Sequence, residues 1–249
     1  MRYFIFLQYK GTGYHGWQAQ KNALSVQEKI EKCISLLLQE KIELTGAGRT
    51  DSGVHASYYV AHFDSRNENL ADDNEFLFKL NRFSLSDMAF SDIKKVKSDA
   101  HARFSALSRS YKYRITRVKN PFESEFAWYY YGNLDIVKMQ QASEDLMKYD
   151  NFKSFCKKGS NVKTYQCKVM KAEWIENGNI LEFNITADRF LRNMVRSIVS
   201  SLMEIGKGNL RVDEFNKLIL ERKKPVQGST APAHGLFLNL ITYPENIYL

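Results

Sequence analysis

Gly46-Ala47-Gly48-Arg49-Thr50-Asp51-Ser52-Gly53 sets one carboxylate two positions from one guanidinium, in a stretch of glycines and small side chains. Glycine allows a tight turn and close approach of a ligand to the backbone, and Ala47, Thr50 and Ser52 leave the surroundings open. A nearby cation favours the ionised carboxylate, the form in which Asp51 could act as a nucleophile. An isolated Arg-x-Asp is more often a solvated loop with a surface ion pair, so both readings stand at this point. His55, His62 and Asp64 raise the question of a metal. The two histidines are too far apart for a zinc pair, whose ligands are typically about three to five residues apart. In a strand they would fall on opposite faces. No metal site is expected, and there is no P-loop, dinucleotide fingerprint or nucleophile elbow.

Basic residues form the second set of candidates. A helix is expected over residues 190–205, stopped by Gly206. If it begins early enough, Arg189, Arg192 and Arg196 share one face. Leu191, Met194, Val195, Ile198, Val199 and Leu202 make the apolar stripe beside it. Arginine suits bidentate contact with carboxylate or phosphate, although such a flank can equally be solvated surface. His101-Ala102-Arg103-Phe104-Ser105, Arg109, Lys112, Arg114, Arg117 and Lys119 interleave basic and aromatic residues. That mixture fits phosphate contacts with base stacking. Tyr111 could stack on a base or pack in a core.

The elements that must position these residues are legible in outline. Residues 3–9 read as a strand. Ser25-Val26-Gln27-Glu28 reads as a capping box, opening a helix with Val26, Ile30, Cys33, Ile34, Leu37 and Leu38 at helical spacing. A strand follows the Asp51 turn through Tyr58, Tyr59, Val60 and Phe63, then a helix over 74–83 and a short strand over 93–97. In 111–117, Tyr111, Tyr113 and Ile115 alternate with Lys112, Arg114 and Thr116. A helix over 135–148, a hairpin turning at Asn177-Gly178, a helix over 213–222 and a strand over 236–241 complete the chain. The mixture, with a hairpin, points to an α+β class with a largely antiparallel sheet.

The 249 residues, 44% hydrophobic and 26% charged, can bury a sizeable core without covalent staples. The net charge of +8 argues for a polyanionic partner rather than for any fold. Cys33, Cys156 and Cys167 are an odd number with no paired spacing, which fits a reducing compartment. No apolar run reaches the roughly 18 residues of a membrane span, and the N-terminus lacks a signal-peptide core. A cytoplasmic protein with no membrane association is expected.

In register along nearly the whole chain, several segments resemble the tRNA pseudouridine synthase A family. They include Tyr14-His15-Gly16-Trp17-Gln18, Ser25-Val26-Gln27-Glu28 and, most specific, Ala47-Gly48-Arg49-Thr50-Asp51-Ser52-Gly53-Val54-His55-Ala56. His101-Ala102-Arg103-Phe104-Ser105-Ala106, Tyr111-Lys112-Tyr113, Phe190-Leu191-Arg192-Asn193-Met194-Val195-Arg196 and Ala231-Pro232-Ala233-His234-Gly235-Leu236 follow in order. The resemblance implies isomerisation of uridine to pseudouridine at positions 38, 39 and 40 of the tRNA anticodon arm, without metal or cofactor. It implies Asp51 as the catalytic aspartate and Arg49 as the arginine of base extrusion. Tyr111 would pack on the target base, Arg196 would pair with the aspartate, and Leu236 would line the pocket. It further implies a homodimer with one tRNA touched by both subunits. The implied fold has two lobes, an N-terminal α/β lobe over 1–105 carrying the Asp51 loop and a C-terminal α/β lobe over 106–249, with a central sheet flanked by helices. A non-catalytic RNA-binding module and a metal-dependent hydrolase are the competing functions.

Overall fold

The computed structural model describes residues 1–84, 86–160, 162–225 and 230–249. The chain divides into two compact units, one of Met1–Ser108 with Leu238–Leu249 and one of Arg109–Phe237.

In the first unit, strands β1 (Arg2–Tyr9), β2 (Thr45–Gly46), β3 (His55–Asp64) and β4 (Met88–Val96) accompany helices α1 (Val26–Leu38) and α2 (Asn74–Phe83). β1 pairs antiparallel with both β3 and β4. β2 pairs antiparallel with β3. β1 is apolar on both faces, and Tyr3, Phe4 and Ile5 are fully buried beneath flanking structure. α1 begins where Ser25 Oγ accepts the Glu28 N–H at 3.2 Å. Only half of the expected capping box forms, because the Glu28 carboxylate turns to Lys32 at 2.8 Å. Val26, Ile30, Cys33 and Ile34 are the buried stripe of that helix.

The second unit holds β5 (Ser108–Thr116), β6 (Trp128–Tyr129), α3 (Ile136–Asp145), β7 (Val169–Asn177), β8 (Ile180–Ala187), α4 (Met194–Gly206) and α5 (Val212–Leu220), and the chain then enters β9 (Leu236–Thr242). β5, β8 and β7 lie side by side as antiparallel neighbours, with β6 parallel to β5. The β7–β8 hairpin turns just after Asn177, with Gly178 at φ +58°. α3 crosses α4 where Gly206 has no side chain; a Cβ there would collide with Met139. The class is α+β, with helices against largely antiparallel strands.

Two expectations are corrected. α4 starts at Met194, behind an Asn193 held at φ +65°, so Arg189 and Arg192 precede the helix and do not share a helical face with Arg196. Thr116, expected on the polar face of β5, is buried and its hydroxyl donates to Val118 O at 2.7 Å.

The histidines of β3 are structural acceptors. His55 Nδ1 receives the Gly11 N–H at 3.0 Å, and His62 Nδ1 receives the Ala102 N–H at 3.1 Å. Burial, then the neighbouring His101 and Arg2, push His62 down to about 4, against a smaller upward pull from Asp64. As pH falls from about 6.5 towards 4, the unfolded chain binds this proton and the folded one does not, so stability is lost across that window. His62→Asn keeps an acceptor near the Nδ1 position without a titrating ring. Its melting temperature should therefore fall less steeply than the wild type's between pH 6.5 and 4, as followed by circular dichroism; an identical slope would exclude His62 as a source.

Candidate active site

Asp51 lies in the turn between β2 and β3, half-buried. A turn without ladder partners must satisfy its backbone elsewhere, and here the segment after β1 supplies the partners. Trp17 N–H donates to Thr50 O at 3.3 Å, while Gly53 N–H and Ser52 Oγ both donate to Tyr14 O, at 3.3 and 3.1 Å. Val54 N–H closes the turn onto Asp51 O at 3.1 Å, with Gly53 at φ +76°. The Tyr9 hydroxyl meets Thr50 Oγ1 at 2.9 Å, and the Tyr59 hydroxyl donates to Gly48 O. Tyr14 is itself anchored by donating to Asp87 Oδ2 at 2.9 Å, and burial, then that hydrogen bond, pushes its phenol up.

Beneath the turn, Trp17 stacks on Tyr59 with centroids 4.1 Å apart, and Tyr9 meets Tyr59 edge-on at 5.5 Å. Gly46 lets the indole in: a Cβ there would stand 2.5 Å from Trp17 Cε2. Two glycines on the clamping segment are equally constrained. A Cβ on Gly11 would overlap Val54 O, and one on Gly16, at φ +90°, would overlap Thr50 O. Arg49 is exposed, and its Nε donates to Gln18 Oε1 at 3.1 Å.

Tyr111, Arg196 and Leu236 belong to the second unit. Tyr111 stands on β5 opposite Ile185, half-buried, with Phe190 edge-on at 5.1 Å. Arg196 sits in the first turn of α4, where Nε donates to Ala231 O at 2.7 Å and Nη2 to Thr230 Oγ1 at 3.2 Å. Ala231 N–H returns to Arg196 O at 3.2 Å, so helix and incoming segment hold each other. Leu236 opens β9 and is buried. The residues before it lie across Tyr113, whose hydroxyl donates to Pro232 O at 2.8 Å, and a Cβ on Gly235 would come within 2.8 Å of that ring.

Other basic candidates are already engaged within the protein. Lys112 and Arg114 pair with Glu182 at 3.1 and 3.5 Å, and Arg114 also reaches Glu123 at 3.1 Å. Arg109 donates to Asp188 O at 2.8 Å. Among the described residues, no group of three His, Cys, Asp or Glu side chains is placed to hold a metal ion. No described helix is long and apolar enough to cross a membrane.

A family model described as tRNA pseudouridine synthase matches residues 149–244. A tRNA pseudouridine synthase A of Bacteroides fragilis is 47% identical over 248 residues, covering 99% of this chain and 98% of that protein. Its counterpart from Porphyromonas gingivalis is 42% identical over 100% of this chain and 99% of its own. One from Acetivibrio thermocellus is 39% identical over 96% and 98%. The chain belongs to the tRNA pseudouridine synthase A family.

The clamp on the Asp51 turn yields a direct test. Gly16→Ala forces a side chain against Thr50 O in a left-handed conformation. Overpacking and backbone strain together should cost about 2–4 kcal/mol in a denaturant melt. Turnover should fall with it, because the displaced atoms adjoin Asp51; wild-type stability and turnover together would show that the turn does not depend on this contact.

Proposed function

We propose that this protein isomerises uridine to pseudouridine in tRNA, at positions 38, 39 and 40 of the anticodon arm, with Asp51 as its catalytic group. The observation that carries this reading is similarity over the whole chain to proteins named tRNA pseudouridine synthase A. The reaction breaks the C1′–N1 and C5–H bonds and forms C1′–C5 and N1–H in the same nucleoside, so atoms balance with no second reactant. One ionised carboxylate beside the nucleoside is enough to serve as covalent partner.

Arg49 acts in base extrusion, Tyr111 packs against the extruded base, Arg196 pairs with the Asp51 carboxylate and Leu236 lines the base pocket. Extracting a base from its stack costs a few kcal/mol, and stacking on Tyr111 would return about 1–3 kcal/mol of it. The net charge of +8 supplies attraction to the phosphate backbone. The working form is a homodimer in the cytoplasm, with both subunits touching one tRNA. The N-terminal lobe, 1–105, brings the Asp51 loop, and the C-terminal lobe, 106–249, completes the cleft.

Asp51→Asn should bind tRNA with a dissociation constant close to that of the wild type. Pseudouridine formation, detected by carbodiimide labelling, should fall by about a thousandfold or more, the scale expected when a covalent nucleophile is removed. Turnover surviving in that variant would sink the assignment of Asp51. An unmodified tRNA after incubation with the wild-type protein would instead favour a binding module.

A further inference from the structure

Two motifs of the first unit, Tyr14-His15-Gly16-Trp17-Gln18 and Ser25-Val26-Gln27-Glu28, meet through their glutamines. Gln18 Nε2 donates to Gln27 Oε1 at 2.7 Å. Gln27 Nε2 donates to Glu31 Oε1 at 2.8 Å and to Leu44 O at 3.0 Å. Ala19 N–H also donates to Gln27 Oε1, at 3.0 Å, and Leu44 N–H donates to Glu31 Oε1 at 2.8 Å. The chain ends at Gln18 Oε1, which accepts Arg49 Nε at 3.1 Å.

Every link has a forced polarity. A carboxylate and a backbone carbonyl can only accept, so Gln27 must present its NH2 to Glu31 and Leu44. A backbone N–H can only donate, so the Gln27 oxygen must face Ala19. With that oxygen committed, Gln18 must turn its own NH2 inward, and its oxygen is left facing outward. A guanidinium Nε can only donate, so Arg49 finds an acceptor whose orientation was decided two side chains away. Chains of this kind also polarise each other along their length.

We propose that Gln18, set by Gln27 and Glu31, is a positioning residue that fixes the exposed Arg49 guanidinium by its Nε and so aims its two terminal nitrogens at the RNA. A long arginine left to sample its rotamers would lose side-chain entropy, of up to about 2 kcal/mol, each time it engaged a nucleotide. The relay spends that entropy in folding, through a scaffold anchored on α1 and on the backbone of Leu44, just before β2. The inference rests on the reading of Arg49 as an RNA-facing group of the site. It adds a specific role for the glutamines of two motifs that are separate in sequence.

The test is a double-mutant cycle on the full-length protein with unmodified tRNA, read as kcat, tRNA dissociation constant and melting temperature. Gln18→Met is nearly isosteric and removes both hydrogen bonds. It should lower kcat about tenfold, the scale of one hydrogen bond to a charged group, with tRNA affinity and melting temperature close to the wild type. Arg49→Ala should lower kcat at least as much, and adding Gln18→Met to it should cost little more, because coupled residues are non-additive. Gln18→Glu retains an acceptor for Nε but loses the donor to Gln27 and adds a charge that competes with phosphate for the guanidinium, so it should recover little of the kcat lost in Gln18→Met. Independent, fully additive losses would overturn the relay, as would an active Gln18→Met beside an impaired Arg49→Ala. An Arg49→Ala variant with wild-type kcat would fell the reading of Arg49 itself, and the relay with it. A drop in melting temperature that accounts for the whole Gln18→Met effect would make Gln18 a structural residue only.

Discussion

The Asp51 turn has no ladder of its own, and that constraint organises the first unit. Its polar backbone groups must be paired in a place open enough for a macromolecular substrate. The solution is a second irregular segment laid against the first, with Trp17 N–H and Tyr14 O as the principal partners. Two irregular strands of chain can approach this closely only if one of them gives up side chains, which is why Gly11 and Gly16 face the carbonyls of Val54 and Thr50. The aromatic floor of Tyr9, Trp17 and Tyr59 follows from the same need, since it supports the turn from below with rigid, buried area. The geometry of the proposed nucleophile is therefore set by backbone contacts far from it in sequence.

Periodic features were legible in advance, because they are local. The apolar stripe of α1, the bounds of α2 at Asn74–Phe83 and the turn near Asn177-Gly178 are all written within a few residues of themselves. The start of α4 was not, since it depends on Asn193 adopting a left-handed conformation that most side chains avoid. That single residue separates Arg189 and Arg192 from the helical face they were expected to share with Arg196. Thr116 was likewise misplaced because alternation assumes one wet face, and β5 at that point is covered on both.

The sequence offers candidate residues for the site but not their connections. Arg49 and Asp51 stand out by spacing, and the family resemblance supplies the proposed roles of all five candidates. Nothing in composition, however, reveals that Gln18 faces Gln27, or that the Tyr14 carbonyl accepts from Gly53 N–H and Ser52 Oγ. These are long-range pairings between uncharged groups, with no periodicity to betray them. Glutamine is also the residue type for which a surface role is the default expectation, so its appearance in two motifs draws attention only once the fold brings them together.

Charge shows the same divide between inventory and arrangement. A net +8 suggests abundant cations for RNA, yet the structure engages Lys112 and Arg114 with Glu182, and Arg109 with a backbone carbonyl. Partly exposed pairs of this kind contribute little to stability, about 0–1 kcal/mol each, so their main effect is to hold side chains in place. Arg49 is held differently. A neutral amide at Nε restrains the side chain without neutralising its charge, whereas a carboxylate there would compete with phosphate for the same guanidinium. For a cation proposed to meet a polyanion, an amide partner whose own orientation is enforced from behind gives direction and keeps the charge available, and the Glu31 carboxylate that enforces it stands two side chains back from Arg49.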